Sequence, residues 1–260
     1  MFSTWSGRMK IAITGKGGVG KTTLAGTLAR LLARDGLEVV AIDADPDMNM
    51  GSALGCEPPE PLINQKELIE ERASAGEGVF MYNPKVDDVL PRFSVLCPDG
   101  VRLLVMGTVD QGGSGCMCPE SAFLKAFLRH MLLKKSSVLI MDMEAGIEHL
   151  GRGTAKGFDL MLIVVENGLR SVQTATRIKA LSADIGVKKL AVVLNKAQND
   201  TSDIEQRIEE LGIPLLGVIP FDEAVARADR LGLPSLELGG SAVDAMVELK
   251  KEILAILPQD

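Results

Sequence analysis

The chain has 260 residues, a hydrophobic content of 46% and a formal net charge of −7. It is long enough to bury a substantial core, and its longest apolar runs fall short of a membrane span. The acidic balance, with no clustered stripe of Lys and Arg, argues against a nucleic-acid binder, which must neutralise phosphates.

The first eight residues, MFSTWSGR, lack the apolar core and the cleavage site of a secretory signal. We interpret 1–8 as an N-terminal extension or an expression remnant, and 9–260 as one domain. Without an export signal, we expect a cytoplasmic protein in a reducing compartment. The four cysteines are therefore predicted to be thiols or metal ligands rather than a disulfide framework.

Short apolar segments alternate with helical segments along the whole chain. Their near-continuous apolar character is typical of parallel strands that are covered on both faces. The alternation predicts a single α/β domain with a mostly parallel sheet and helices on both faces. The least regular part, 51–100, is predicted to be an insertion with one helix near 65–73. The predicted strands are 9–14, 39–43, 102–107, 137–142, 160–166, 190–195 and 214–220.

A glycine-rich loop, TGKGGVGKTT, follows the first predicted strand and precedes a predicted helix. It matches the P-loop pattern G-x-x-x-x-G-K-[ST] between Gly15 and Thr22. In this motif the backbone N–H groups cradle phosphates, Lys21 reaches the β and γ phosphates, and the Thr22 hydroxyl binds Mg²⁺. The predicted phosphate-binding residues are Gly15, Gly17, Gly18, Val19, Gly20, Lys21, Thr22 and Thr23.

A second lysine, Lys16, lies inside the loop, where a standard P-loop does not need one. The sequence KGGVGKT resembles the deviant Walker A motif of the MinD/ParA/nitrogenase iron protein class of ATPases. That resemblance implies a dimer in which Lys16 reaches the nucleotide of the partner and stabilises charge there, as an arginine finger does. A solvated loop lysine is the alternative.

Two acidic segments follow predicted strands. Asp45 in AIDADPD resembles the aspartate that orients the attacking water in this class, and Asp43 is expected to help hold Mg²⁺ through water. Asp142 in VLIMDMEAG lies four residues before Gly146, as in a Walker B motif followed by switch II, and is expected to support Mg²⁺. Helix caps or turn residues are the alternative interpretation.

The predicted base contacts lie at two later strand ends. Asn195 in LNKAQ stands where GTPases carry N-K-x-D, and the position of that guanine-binding aspartate is Gln198 here. The nucleotide is therefore predicted to be ATP rather than GTP. Pro220 lies where the backbone of this class contacts the adenine edge.

Two cysteines, Cys116 and Cys118, lie one residue apart in GGSGCMCPE, just before a predicted helix. The positive end of the helix dipole favours thiolates, which bind metals. Two thiolates fill only half of a four-ligand shell, so a two-fold axis that pairs two such loops would complete a Cys₄ site. Small buried cysteines remain the alternative.

The combination of GGSGCMCPESAFLKAF, YNPKVDD, MDMEAGIEHLGRGTAKG and DADPD resembles the CooC family, accessory ATPases that insert nickel into carbon monoxide dehydrogenase. The resemblance implies a nucleotide- and metal-dependent homodimer that binds Ni²⁺ or Zn²⁺ through Cys116 and Cys118. It implies carbon monoxide dehydrogenase or acetyl-CoA synthase as the client. Glu144 stands where the family often has Gly.

Two rival functions belong to the same class. The nitrogenase iron protein holds an iron–sulfur cluster for electron transfer, but its cysteines lie on two separated segments, and EAGIEHLGRG here has none. A positioning ATPase of the MinD/ParA kind would need a membrane or DNA. The terminal segment 241–260 has only two cations, Lys250 and Lys251, and is predicted to be a packing helix. His130 and His149 are interpreted as surface or interface residues, and Cys56 and Cys97 as structural thiols.

Overall fold

A computed structural model describes residues 7–76, 79–80, 85–107, 123–124, 126–128, 136–145, 158–198 and 200–256. Ten strands and nine α-helices have bounds that fall within these ranges. The strands are β1 (Arg8–Gly15), β2 (Glu38–Ala44), β3 (Ser74–Gly76), β4 (Val79–Phe80), β5 (Val95–Leu96), β6 (Arg102–Val105), β7 (Ser137–Met143), β8 (Leu160–Val165), β9 (Leu190–Ala197) and β10 (Leu215–Pro220). The helices are α1 (Lys21–Arg34), α2 (Met50–Leu54), α3 (Lys66–Ala73), α4 (Val89–Phe93), α5 (Leu169–Ile185), α6 (Ser202–Glu210), α7 (Glu223–Leu231), α8 (Ser235–Leu238) and α9 (Ser241–Ile256).

The main sheet has eight strands in the order β10-β9-β8-β1-β7-β2-β6-β5. Its pairs are parallel except β5 with β6, which is antiparallel at one edge. The seven predicted strands are all present, and the chain is a single α/β domain as predicted. The predicted helix near 65–73 is also confirmed, as α3.

Successive residues of the central strands enter two separate cores. Ile11 and Ile13 of β1 pack with α1 and α9 on one face, whereas Ala12 packs on the other face with α5 and α6. β7 alternates in the same way. A strand buried on both faces shows no hydrophobic alternation in its sequence, which is why these strands are continuous apolar runs.

Helix α9 confirms the interpretation of the terminal segment as a packing helix. Its Met246, Leu249 and Ile253 are at most 2% exposed and belong to the core with α1. Over the ranges that the structure describes, no helix combines the length and the apolar character needed to cross a membrane.

The prediction that all four cysteines are reduced thiols or metal ligands is wrong for two of them. Cys56 and Cys97 form a disulfide, with Cα atoms 5.3 Å apart and a sequence separation of 41 residues. The fold brings the loop after α2 next to the turn that connects β5 to β6. No sequence pattern links these two segments, so their pairing follows only from the tertiary structure.

Candidate nucleotide-binding site

The carboxyl ends of the parallel strands meet at one edge of the sheet, and most of the predicted site residues lie there. The P-loop follows β1, Asp43 and Asp45 come at the end of β2, and Asp142 lies near the end of β7. The pairing register of β2 and β7 sets Asp43 directly beside Asp142. This edge is where open α/β sheets bind ligands.

The P-loop requires glycine at two positions for steric reasons. A Cβ on Gly15 would overlap the carbonyl oxygen of Val164 on β8. Gly20 has φ +93°, which is left-handed backbone, and a Cβ there would overlap the Nδ2 of Asn195. These contacts keep the loop close to the sheet edge, so that its backbone N–H groups are held for phosphates.

Residues of β9 hold the P-loop from the outside. Buried Asn195 donates from Nδ2 to the carbonyl oxygen of Val19 at 2.8 Å, and Lys196 donates from Nζ to the carbonyl oxygen of Gly18 at 2.6 Å. Lys196 has φ +54°, uncommon for a residue other than glycine. No sequence motif singles out Lys196. The role of Asn195 as a base contact stays a prediction, and its contact with the loop is an additional finding of the structure.

Lys21 and Asp45 form an ion pair across the site. Lys21 Nζ lies 3.2 Å from Asp45 Oδ2, and the two side chains are 6% and 11% exposed. A buried lysine without a counter-charge is costly, so Asp45 supplies the negative charge that phosphates supply when a nucleotide is bound. The carboxylate and a nucleotide therefore compete for the same ammonium group.

The carboxyl group of Asp142 is buried beside the first turn of α1. Thr22 donates from Oγ1 to Asp142 Oδ2 at 2.5 Å. Burial raises the pKa of Asp142 to about 7; the Thr22 hydrogen bond opposes the rise and the charge of Asp43 adds to it. Burial likewise raises the pKa of Asp43 to about 6, against the lowering effect of N–H donors from Met50 and Asp45.

These groups fit a magnesium ion. Asp142 Oδ1 is buried and has no hydrogen-bond partner within the described part of the chain. Mg²⁺ is held in nucleotide sites by one or two carboxylates, a hydroxyl, waters and the phosphates, and not by an all-protein cage. Consistently, the described residues contain no group of three or more His, Cys, Asp and Glu arranged to hold a metal by themselves. Thr22 and Asp142 would hold the ion, with Asp43 behind them.

A cavity of about 620 Å³ opens next to the P-loop and is large enough for a nucleotide. Its phosphate end is lined by Lys21, Thr22, Asp45 and Glu144. Pro220, a predicted base contact, also lines this cavity. The remaining walls include residues of α2, α7 and α9, such as Ser52, Ala53, Val225, Asp229 and Met246.

Lys16 is not among the residues that line this cavity. Its Nζ lies 4.0 Å from Glu166 Oε1, and the lysine side chain is 41% exposed. An exposed pair at this distance contributes little to stability, so Lys16 is free to exchange Glu166 for another anion. The predicted metal ligands Cys116 and Cys118 lie outside the described residues, as do His130, His149 and Gly146.

Comparisons with known proteins agree with this geometry. The family model of the CobQ/CobB/MinD/ParA nucleotide binding domain matches residues 10–235. The carbon monoxide dehydrogenase accessory protein CooC of Rhodospirillum rubrum is 45% identical over 95% of this chain and 96% of that protein. An uncharacterized ATP-binding protein of Methanocaldococcus jannaschii, MJ0823, is 47% identical over 87% of this chain and 90% of its own length.

Solved structures share the fold at lower identity. The cell division ATPase MinD of Pyrococcus furiosus has a TM-score of 0.69 at 24% identity, covering 95% of this chain and 99% of that one. The septum site-determining protein MinD of Pyrococcus horikoshii, solved with Mg-ADP, has a TM-score of 0.67 at 21% identity, covering 95% and 96%. At these identities the likeness concerns the fold alone.

Proposed function

The chain belongs to the CobQ/CobB/MinD/ParA nucleotide-binding family as a CooC-like ATPase, and from this premise we propose that it is a nickel metallochaperone. In this proposal it couples ATP hydrolysis and dimerisation to the delivery of nickel to carbon monoxide dehydrogenase. The single observation that carries the proposal is the 45% identity to a carbon monoxide dehydrogenase accessory protein across nearly the whole of both chains.

The residues at the cavity have different roles in the proposed hydrolysis of ATP. Lys21 leaves Asp45 and binds the phosphates, and the released carboxylate then orients the attacking water. Thr22 and Asp142 hold Mg²⁺, which neutralises charge on the phosphates when it is bound. Asn195 and Lys196 keep the loop carbonyls turned outward, so that the loop N–H groups face the phosphates. Pro220 and Asn195 are assigned to the adenine end.

Lys16 is assigned to the nucleotide of a second protomer. It lies in the P-loop with its Nζ 4.0 Å from Glu166, whose side chain is 36% exposed, so a partner's phosphate would attract it without leaving a fully buried charge behind. Hydrolysis would remove that phosphate charge and weaken the dimer. The cycle therefore connects the state of the nucleotide to the assembly of two chains.

A mixing experiment tests the assignment of Lys16. Lys16→Ala and Asp45→Asn are each expected to hydrolyse ATP at least about 100-fold more slowly than the wild type. In a mixed dimer, one site combines the intact Asp45 of one chain with the intact Lys16 of the other. An equimolar mixture is therefore expected to recover about a quarter of the wild-type rate, because half of the dimers are mixed and each has one intact site. If Lys16 acts within its own chain, the mixture stays inactive.

Cys116 and Cys118 are assigned to the nickel site. Each chain supplies two thiolates, so the dimer supplies four. Zn²⁺ competes for such a site, and metal availability decides between the two. The dimer that ATP stabilises is then also the form that holds the metal.

Anaerobic metal titration tests the nickel site directly. The wild type is expected to bind one Ni²⁺ per dimer, as determined by metal analysis together with mass in solution, with and without ATP. Cys116→Ser/Cys118→Ser is expected to lose the metal and keep ATP binding. Equal nickel binding by both proteins would refute the proposal, and an iron–sulfur chromophore in the anaerobically purified wild type would favour the electron-transfer alternative. Client activity is measured with apo carbon monoxide dehydrogenase and apo acetyl-CoA synthase in parallel.

A further inference from the structure

The Cys56–Cys97 disulfide lies beside one wall of the nucleotide cavity. Cys56 follows α2 by two residues, and Cys97 immediately precedes the turn 98–100 between β5 and β6. Cys97 is 5% exposed, whereas Cys56 is half-buried. A small thiol or disulfide in solution therefore reaches Cys56 first.

Backbone hydrogen bonds hold each cysteine in place independently of the sulfur–sulfur bond. Cys56 N donates to the carbonyl oxygen of Gly51 at 3.0 Å, and Cys97 N donates to that of Val101 at 2.7 Å. Both bonds are local to their own segment, so after reduction each loop keeps its shape and the thiols stay within reach of each other, while the covalent link between the two segments is lost. Neighbouring thiols reoxidise readily, so the pair has the geometry of a reversible couple.

Helix α2 connects Cys56 to the catalytic end of the cavity. Ser52 and Ala53 of this helix line the cavity. Ala53 also packs closely on α1, because a Cβ added to Gly26 of α1 would lie only 2.7 Å from the Cβ of Ala53. Met50 N donates to Asp43 Oδ2 at 2.9 Å. A displacement of α2 therefore reaches both Asp43 and the cavity wall.

The Cys97 side is connected to the same wall through a buried arginine. Arg30 of α1 donates from Nε to Asp99 Oδ2 at 2.6 Å, and its Nη1 lies 2.8 Å from Glu237 Oε1 of α8. Gly55, next to Cys56, is so close to Pro234 that a Cβ on it would lie 2.8 Å from Pro234 Cγ. The disulfide, the 98–100 turn and α8 thus form one packed unit beside the nucleotide cavity.

We propose that Cys56 and Cys97 are a reversible redox-modification site that sets the affinity for ATP. Segment 44–56 contains Asp45. One end of this segment is continuous with β2, and the other end is joined by the disulfide to the loop between β5 and β6. β6 pairs with both β5 and β2, so both ends of the segment are attached to the same sheet. The structure that contains the disulfide also contains the Lys21–Asp45 ion pair, so the proposal assigns the disulfide to the nucleotide-free arrangement. The dithiol form releases one anchor, so Asp45 leaves Lys21 at lower cost and ATP binds more tightly.

The chemistry is thiol–disulfide exchange with a low-molecular-weight disulfide such as glutathione disulfide. The thiolate of Cys56 attacks one sulfur of the reagent, which releases one thiolate and leaves a mixed disulfide on Cys56. The thiolate of Cys97 then attacks the sulfur of Cys56 and releases the second thiolate. Two electrons pass from the protein to the reagent, and the two protons of the protein thiols end on the two released thiols.

The test uses Cys116→Ser/Cys118→Ser, so that Cys56 and Cys97 are the only thiols left. The protein is equilibrated with glutathione mixtures of different ratio, its free thiols are counted, and its Kd for ATP is measured by calorimetry. We expect two thiols in the reduced form, none in the oxidised form, and a Kd that is about 3- to 10-fold lower in the reduced form.

The matched control adds Cys56→Ser/Cys97→Ser to the same background. Its Kd for ATP is expected to be the same at every ratio of reduced to oxidised glutathione. The proposal is overturned if the oxidised and reduced forms bind ATP with the same Kd, or if the control responds as the parent does. Because no metal is added, the outcome is independent of the nickel assignment.

Discussion

Replacing Asp45 by Asn is expected to slow ATP hydrolysis by about 100-fold or more and, at the same time, to tighten ATP binding by about 3- to 10-fold. The first effect follows from losing the carboxylate assigned to the attacking water. The second follows because Lys21, 6% exposed, loses its partner at 3.2 Å and gains a counter-charge only from the phosphates. The increase in Tm on adding ATP should therefore be larger for the variant than for the wild type, whereas its kcat is far lower.

Asp47→Asn is the matched control for this change. Asp47 is exposed, lies two residues away, and lines the same cavity, but its side chain is not the one paired with Lys21. We expect its Kd for ATP to stay within about threefold of the wild-type value. An Asp45→Asn variant that keeps wild-type hydrolysis would remove Asp45 from the reaction. One that binds ATP more weakly would show that Asp45 and phosphate do not compete for Lys21.

The parts of the site that sequence predicts are those encoded within one short segment. The P-loop carries its own signal, because only glycines allow the close approach to Val164 and Asn195 that the structure shows. Asp43, Asp45 and Asp142 were predicted because polar residues at the ends of buried strands gather at one edge of a parallel sheet. Asp142 meets Thr22 and Asp45 meets Lys21 at that edge, whereas the placement of Asp43 directly beside Asp142 depends on the register of β2 and β7.

The parts that sequence misses are contacts between distant segments. Lys196 holds the P-loop across 178 residues of sequence, and its side chain alone does not distinguish it from any exposed lysine. The Cys56–Cys97 disulfide depends on how the loop after α2 packs against the edge of the sheet. A prediction of reduced thiols that is based on compartment contains no information about whether two sulfur atoms are adjacent.

Replacing Asp142 by Asn is expected to abolish hydrolysis and yet stabilise the nucleotide-free protein at alkaline pH. The pKa of Asp142 is raised from 3.8 to about 7, chiefly by burial. A raised pKa means that the folded state binds the proton more tightly than the unfolded state. The wild type is therefore most stable, with respect to this group, below pH 4 and loses that stability as the pH rises through 7. At 1.4 kcal/mol for each pH unit, the loss amounts to about 4 kcal/mol at most.

An asparagine cannot ionise, so Asp142→Asn removes this loss. Chemical denaturation without nucleotide should give equal free energies of unfolding for variant and wild type near pH 4, and a more stable variant at pH 8. Asp200→Asn is the control, because the pKa of Asp200 is shifted in the opposite direction. Asp200 is exposed and hydrogen bonds from Ser202 lower its pKa, so its replacement is expected to give no gain in the free energy of unfolding at pH 8.

Magnesium and ATP should reverse the order of stability. The ionised Asp142 of the wild type gains a cation beside it, whereas the variant has no charge to offer, so only the wild type is strongly stabilised by Mg-ATP at pH 8. A stability difference that does not change with pH would mean that Asp142 ionises near its ordinary pKa. An Asp142→Asn variant that still hydrolyses ATP at the wild-type rate would place Mg²⁺ on other ligands. Burial of Asp142 thus disfavours its charged form in the nucleotide-free protein, and a bound Mg²⁺ would supply the counter-charge that the ionised carboxylate lacks.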